Sequence, residues 1–362
     1  MLAARAHPGR QDLVLEEVEP PEPGPGDVLV RVAAAGLAPG LFHLLQQGRF
    51  PVLPSTVGHE IAGDVAAIGT GTSAISVGQR VRVHPNLTCR ACEYCTTDRE
   101  QMCSSCSMIG HAVFGPDALG LYRQYHNGGL AEYVNVPAWA IDELPDNVSD
   151  DVGAKVHDLA NAVRALKVAG LMAGSTLVVT AATGTMGTAV IRLAPLYGVT
   201  RLIAVARSAE RLRAVAKLDP GLVEWVSIDN LDADWEKTGG LTRALRRVLP
   251  GGADAVIDFL PSGPGTAQAV AALRNGGALV HMGGNRAPLD LPAVAFAAGC
   301  WRLVGTRNCT RNDARHVLQI LRSGTIIADD LVTHTYPLTE VNTAVQAMLD
   351  RAEPMWMTLI HP

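Results

Sequence analysis

Charge is scarce in this chain. Only 18% of its 362 residues are Asp, Glu, Lys or Arg, and 30 basic against 35 acidic side chains leave a formal net charge of −5. A sequence that is 48% hydrophobic and so sparsely charged has the material for real cores and too little charge for a disordered chain. The faint acidity argues against a dedicated nucleic-acid binder, which needs a basic surface to neutralise phosphates. The first ten residues lack the apolar run of a secretory signal. The longest uncharged stretch, 168–191, is broken by four Gly and six Ser or Thr, so it reads as a buried strand and a glycine loop, not a membrane span. No internal repeat or low-complexity segment is present. A cytoplasmic protein is expected, in which N-x-S/T matches such as those at Asn86 and Asn147 carry no meaning.

What is present falls into two textures, as roughly one domain per 150 residues would predict. Residues 1–150 are rich in Pro and Gly and carry short alternating runs at 28–33, 60–69, 80–84 and 130–136, the pattern of a compact β domain. Residues 151–166 place Val152, Val156, Leu159, Val163 and Leu166 at helical spacing behind a capping Ser149–Asp150. From Ser175 strands and helices alternate: strands at 176–180, 201–206, 222–226, 253–258 and 278–282, with helices at 186–196, 209–217, 241–248 and 266–273 between them. Such alternation predicts a parallel, doubly wound sheet. Two more helices (313–321 and 340–349) and a strand near 355–360 follow, and this tail is expected to return to the first domain.

The strand at 176–180 runs into Ala182-Thr183-Gly184-Thr185-Met186-Gly187, a glycine loop that opens a helix. Gly184 lets backbone approach a pyrophosphate, Gly187 lets the helix pack on the sheet, and the helix N-terminus offers N–H groups and a positive dipole end. In strand–loop–helix–strand context this is a dinucleotide site; alone it is an ordinary βα turn. Nineteen residues after Gly187 the second strand ends in Ala206-Arg207-Ser208, with Arg211 one turn on. No carboxylate stands there to repel a 2′-phosphate, and Arg207 can pair with one, so the expected cofactor is NADPH (NADP+). Gly283 and Gly284, after the fifth strand, are expected to let backbone approach the nicotinamide.

Seven cysteines are present, four of them as Cys89-x2-Cys92-x2-Cys95-x7-Cys103. Four thiolates in one loop can close a tetrahedral zinc site with no open position, which ties the loop down and does no chemistry. The competing readings are a redox pair or plain buried thiols.

Together these segments resemble the zinc-containing medium-chain alcohol dehydrogenases over nearly the whole chain. The resemblance is carried by Gly58-His-Glu-Ile-Ala-Gly63, the four cysteines, Gly128-Gly-Leu-Ala-Glu-Tyr-Val134, the glycine loop, Gly252-Ala-Asp-Ala-Val-Ile-Asp258 and Leu303-Val-Gly-Thr306. It implies an α/β protein: a GroES-like, β-rich catalytic domain (1–156 and 306–362, with the zinc lobe at 89–103) plus a Rossmann doubly wound cofactor domain (157–305), with the active site in the cleft between them. It also suggests a homodimer or homotetramer.

The departures from the family are informative. Members carry G-x-C-x-S-D-x-H where this chain has Gly36-Leu-Ala-Pro-Gly-Leu-Phe-His43. The ligand cysteine is Ala38, the proton-passing hydroxyl is Gly40 and the supporting aspartate is Leu41. His43, at the proton-relay position, remains, as do His59 and Glu60; the last ligand position is His157, followed by Asp158. His59, Glu60 and His157 offer N, O and N donors, but the lost thiolate and its support weigh against a second, catalytic zinc. One structural zinc is therefore expected. Without a Lewis acid the reduced group needs a proton or hydrogen-bond donor, for which His43, His59 and His157 are candidates, with Glu60 or Asp158 fixing a tautomer and holding an imidazole near neutral titration. The expected reaction is hydride transfer between NADPH and a small-molecule carbonyl or alcohol. The alternatives are an enoyl or imine reductase, and a non-catalytic NADPH-binding protein.

Overall fold

A computed structural model describes residues 1–351 and 353–362. The chain divides into two compact units, Met1–Ala160 with Cys309–Pro362, and Asn161–Asn308.

The first unit is built around strand Asp27–Leu37, which is buried on both faces for most of its length. It sits inside a sheet of order Ile141–Glu143, Arg80–Val83, Glu60–Ile68, Asp27–Leu37, Met357–His361, Val332–Pro337. Strand Tyr133–Pro137 pairs with its first residues and Met357–His361 with its last, so two partners share one edge. A register shift between Val32 and Ala34 changes which side chains face which way. Val28, Val30 and Val32 lie in the main core before the shift, Ala35 and Leu37 after it. Ala34 instead packs with Ala62, Ala154 and Leu359, under helix Asp150–Ala169. Small residues there let the helix lie close to the sheet. Ser149 caps it as expected, its Oγ accepting from Val152 N at 3.3 Å, and Asp150 and Asp151 occupy the favourable first turn.

The second unit is a six-stranded sheet of order Val223–Ser227, Val199–Ala206, Ser175–Thr180, Ala253–Asp258, Leu273–His281, Arg302–Gly305, parallel throughout. Its central strands are continuous apolar runs because helices cover both faces, and Val178, Ile203, Val205, Val256 and Leu279 form the core on one of them. The chain order of the strands reverses beside Ser175–Thr180, the position where doubly wound sheets bind ligands.

Several elements differ from the sequence expectation, which held no counterpart of helices Pro39–Gln46, Leu119–Gln124 and Ala293–Gly299. The helix expected over 266–273 ends at Val270, and strand Leu273–His281 begins before the residues read as strand. Gly276 turns there at φ +78, which absorbs the extra residues in the pairing with Ala253–Asp258. Strand Val332–Pro337 was not anticipated. It pairs in parallel with Met357–His361 and alternates no apolar side chains that would announce it.

Candidate functional site

In the first unit, chemistry-bearing side chains meet where three backbones cross. Gly58 takes φ +105 and exchanges hydrogen bonds with Gly110 and Gly129. A Cβ on Gly110 would stand 2.5 Å from Gly128 Cα, and one on Gly128 2.7 Å from Gly110 Cα. Only glycine permits this approach, and it brings His59 and His111 ring to ring, centroids 4.7 Å apart and nearly perpendicular. Helix Asp150–Ala169 supplies the third imidazole: His157 meets His59 edge to face at 5.1 Å.

The same helix presents Lys155 and Asp158, three residues apart and therefore neighbours on one face. Lys155 is wholly buried, and its Nζ binds Glu60 Oε2 and, at 2.7 Å, Asp158 Oδ2. Burial opposes the charge on Lys155, but Asp158 and Glu60 together raise its pKa to about 12. Burial, with Glu60 beside it, lifts Asp158 to about 7. Two carboxylates thus compete for one ammonium. Burial, reinforced by Lys155, drives His59 down to about 3. His111 and His157 are likewise held well below the usual imidazole range by burial. The expectation that a flanking carboxylate lets His59 or His157 titrate near neutrality is corrected: desolvation outweighs the carboxylates, which serve Lys155 instead.

The sequence candidates separate accordingly. His59, Glu60, His157 and Asp158 come together. His43 lies on the exposed side of helix Pro39–Gln46, outside this cluster. Ala38 is the N-cap of that helix, Gly40 has open space around it, and Leu41 is buried in the main core. Neither carboxylate fixes the tautomer of His157; its Nδ1 faces Cys309 Sγ at 3.5 Å. Sequence reasoning missed Lys155, His111 and the contact of Cys309. For Lys155 a signal existed, since a lysine and an aspartate three apart interrupt a helix face that otherwise reads as core. His59 Nδ1, Glu60 Oε1 and His111 Nδ1 are buried without a hydrogen-bond partner, so the cluster retains unsatisfied capacity.

Among the described residues, one set of His, Cys, Asp and Glu side chains converges as metal ligands: Cys89, Cys92, Cys95 and Cys103, their sulfurs within 4.8 Å of one another. Cys92 and Cys95 Sγ are 3.6 Å apart, Cys89 and Cys95 3.9 Å. Four soft donors at this spacing fit a closed tetrahedral zinc. Cys106 is buried outside the set and Cys300 is exposed. With the carboxylate of Glu60 drawn to Lys155, His59, Glu60 and His157 do not converge in this way. These residues do not fit a second metal.

In the second unit, strand Ser175–Thr180 delivers the glycine loop to helix Thr185–Leu193, with Gly184 as its N-cap. Thr183 is buried, while Gly184, Thr185 and Met186 are partly exposed at the helix start. A Cβ on Gly187 would lie 2.5 Å from Ala182 Cα, so glycine is required for the close approach. Strand Val199–Ala206 ends in buried Ala206 followed by exposed Arg207. Ser208 caps helix Ala209–Ala216, accepting from Arg211 N at 3.3 Å. Burial and the nearby Arg207 charge both lower the pKa of Arg211, as befits two guanidiniums held near each other. Gly283 is fixed by packing, since a Cβ would stand 2.5 Å from Leu260 O; Gly284 faces open space. At the same strand ends His281 Nδ1 lies 2.7 Å from buried Asp258, which also accepts from Thr180 and Thr266. The hydrogen bond to Asp258 raises the pKa of His281.

Residues 24–146 match the alcohol dehydrogenase GroES-like domain, and residues 185–323 match the zinc-binding dehydrogenase domain. The chain belongs to the zinc-type medium-chain dehydrogenase/reductase family. Its two units are the GroES-like and Rossmann folds of that family, and it is an oxidoreductase. Among relatives of this family, the L-galactonate-5-dehydrogenase of Escherichia coli K12 is 27% identical over 329 residues, covering 90% of this chain and 89% of that protein. An NAD-dependent alcohol dehydrogenase of Sulfolobus acidocaldarius is 27% identical over 357 residues, covering 95% of each. A zinc-binding dehydrogenase of Sinorhizobium meliloti 1021, solved with NADP bound, superposes with a TM-score of 0.84 at 25% identity, covering 100% of this chain and 99% of that one. Dependence on a nicotinamide dinucleotide and a structural zinc in the cysteine lobe follow from this membership and from the loop and ligand geometry.

Proposed function

We propose that this medium-chain dehydrogenase/reductase uses NADPH to transfer hydride to and from a small-molecule carbonyl or alcohol, without a catalytic zinc. The observation that carries the reading is the engagement of Glu60 by Lys155, together with Ala38 in place of the ligand cysteine. The nicotinamide, when bound, supplies or accepts the hydride. The protein's own part is binding and polarisation. The N-terminus of helix Thr185–Leu193 and its Gly184 cap bind the pyrophosphate, and Arg207 and Arg211 the 2′-phosphate. Thr183, Thr185, Met186, Ala206, Ser208, Gly283 and Gly284 line the remaining cofactor contacts.

The buried imidazoles are neutral at physiological pH, so they act as hydrogen-bond donors and acceptors rather than as imidazolium acids, and the proton that completes the alcohol comes from water, which takes it back in the reverse direction. The unpartnered nitrogens of His59 and His111 are suited to a substrate oxygen or a water. Hydrogen bonds from neutral donors polarise a carbonyl less than a metal does. That favours, as a second reading, an activated C=C or C=N acceptor whose charge is delocalised.

We further place the protein in the cytoplasm as a homodimer or homotetramer. Among the described residues no helix is long and apolar enough to cross a membrane. The terminal strand Arg302–Gly305 of the parallel sheet leaves one edge unpaired and exposes Leu303, a suitable face for a second copy.

Arg207→Ala tests the cofactor assignment. It should weaken NADPH by tenfold or more and leave NADH within about twofold; equal losses would refute the 2′-phosphate role. Metal analysis tests the zinc assignment, with about one zinc per chain expected and two contradicting it. Turnover of carbonyl, enone and imine panels separates the two reactions.

A further inference from the structure

We propose that Lys155 is a positioning residue whose ammonium takes over the charge-neutralising work of a divalent metal: it holds the Glu60 and Asp158 carboxylates inside the first unit and closes this position to metals. The inference rests on the zinc-independent reading above and names the group that makes it possible.

Two carboxylates, on Glu60 and Asp158, are 1% and 6% exposed. Buried carboxylates without a counter-charge are strongly unfavourable, so something positive must accompany them. The imidazoles of His59, His111 and His157 are neutral, and buried Arg82 is engaged with Asp142 at 3.2 Å. Lys155 is the cation that contacts both carboxylates, with no side-chain exposure of its own. Its position is built from two directions. The helix places Lys155 one turn before Asp158, and the sheet brings Glu60 to it across Gly36, where any Cβ would collide with the Glu60 carboxylate. A single ammonium with three donors fits two carboxylates. While it is present, a metal at Glu60 would face an adjacent fixed positive charge.

The test is metal content of the full-length protein, equilibrated with zinc and desalted. Wild type is expected to hold about one zinc per chain and Lys155→Arg the same. Lys155→Ala, which frees both carboxylates beside His59 and His157, is expected to rise to about two, with NADPH affinity within twofold of wild type. A folded Lys155→Ala that stays at one zinc overturns the proposal. Two zincs in wild type would instead sink the zinc-independent reading itself. Should Lys155→Ala fail to fold, the triple variant Lys155→Met/Glu60→Gln/Asp158→Asn, which removes the ammonium and both carboxylates together, is expected to fold; its failure overturns the charge-balance argument.

Discussion

Lys155 Nζ and Asp158 Oδ2 stand 2.7 Å apart, one turn along the same helix, with the lysine wholly withdrawn from solvent. A buried ion pair of this kind adds little net stability over well-packed apolar residues, yet removing one partner alone typically costs about 3–5 kcal/mol. Its value here lies in what it fixes. It orients Glu60 next to His59 and reinforces the burial that keeps that imidazole uncharged, so the cluster is a preset arrangement of neutral donors around one fixed cation.

Acidification is expected to destabilise the fold well above the range where carboxylates titrate. His59 is held near 3, and His111 and His157 are also depressed, by burial. In the unfolded chain each takes up a proton below about pH 6.5. Below that value the unfolded state binds more protons than the native one, so stability falls as pH falls, by up to about 1.4 kcal/mol per pH unit for each imidazole. Asp158, raised to about 7, acts in the opposite sense by binding a proton in the native state that the unfolded chain releases. Buried His84, also depressed, adds a fourth loss, and His281, raised by its hydrogen bond to Asp258, a second gain near pH 6.5, so four against two leave a net loss of up to about 3 kcal/mol per unit between pH 6.5 and 5. Urea midpoints across that range measure it, and His111→Gln should reduce the slope by up to about 1.4 kcal/mol per unit. A flat profile would contradict the buried neutral state.

The fold was largely legible in the sequence because its signals are local. The glycine loop after strand Ser175–Thr180, the alternation of strands and helices, and the cysteine spacing each depend on residues close in the chain. The cap at Ser149 was legible for the same reason. Strand Val332–Pro337 was not, since its pairing partner Met357–His361 lies beyond an intervening helix and its own pattern is half exposed. The candidate site was legible as a set of positions and not as chemistry. His59 and Glu60 are adjacent in sequence, but the partner of Glu60 is Lys155, 95 residues on. That contact depends on a small residue, Gly36, in a third element. Burial decides the protonation of the histidines, and burial is a property of the whole unit.

The two glycines of the cofactor loop should fail differently when given a methyl group. At Gly184, φ is −100 and the nearest atom to a Cβ is Ala181 O at 3.4 Å. Gly184→Ala should therefore fold with a stability change within about 0.5 kcal/mol. It places the methyl at the helix start, where the phosphates approach, and should weaken NADPH by tenfold or more. At Gly187 the methyl meets Ala182 backbone at 2.5 Å, which cannot yield as a side chain would. Gly187→Ala should lose about 1–3 kcal/mol as well as cofactor affinity. Urea unfolding paired with NADPH fluorescence titration distinguishes them. Undiminished binding in Gly184→Ala would remove the phosphate from this loop.

The cysteine lobe gives the last test, through the order in which its thiols react once metal is stripped. Backbone N–H groups of Ala91 and Cys92 stabilise the Cys89 thiolate and bring its pKa down to about 6. Burial instead pushes Cys95 up to about 12 and raises Cys103. The thiolate is the nucleophile, so at neutral pH exposed Cys89 should be alkylated first. With zinc bound, all four sulfurs are occupied and modification should be slow at each. Treating the protein with a chelator and a brief pulse of iodoacetamide, then mapping peptides by mass spectrometry, reads this order. The chelated protein should label at Cys89 well ahead of Cys95 and Cys103. Equal labelling with and without chelator would mean that the four sulfurs never held a metal. Preferential labelling at Cys95 would mean that backbone donors do not set the reactivity of the loop.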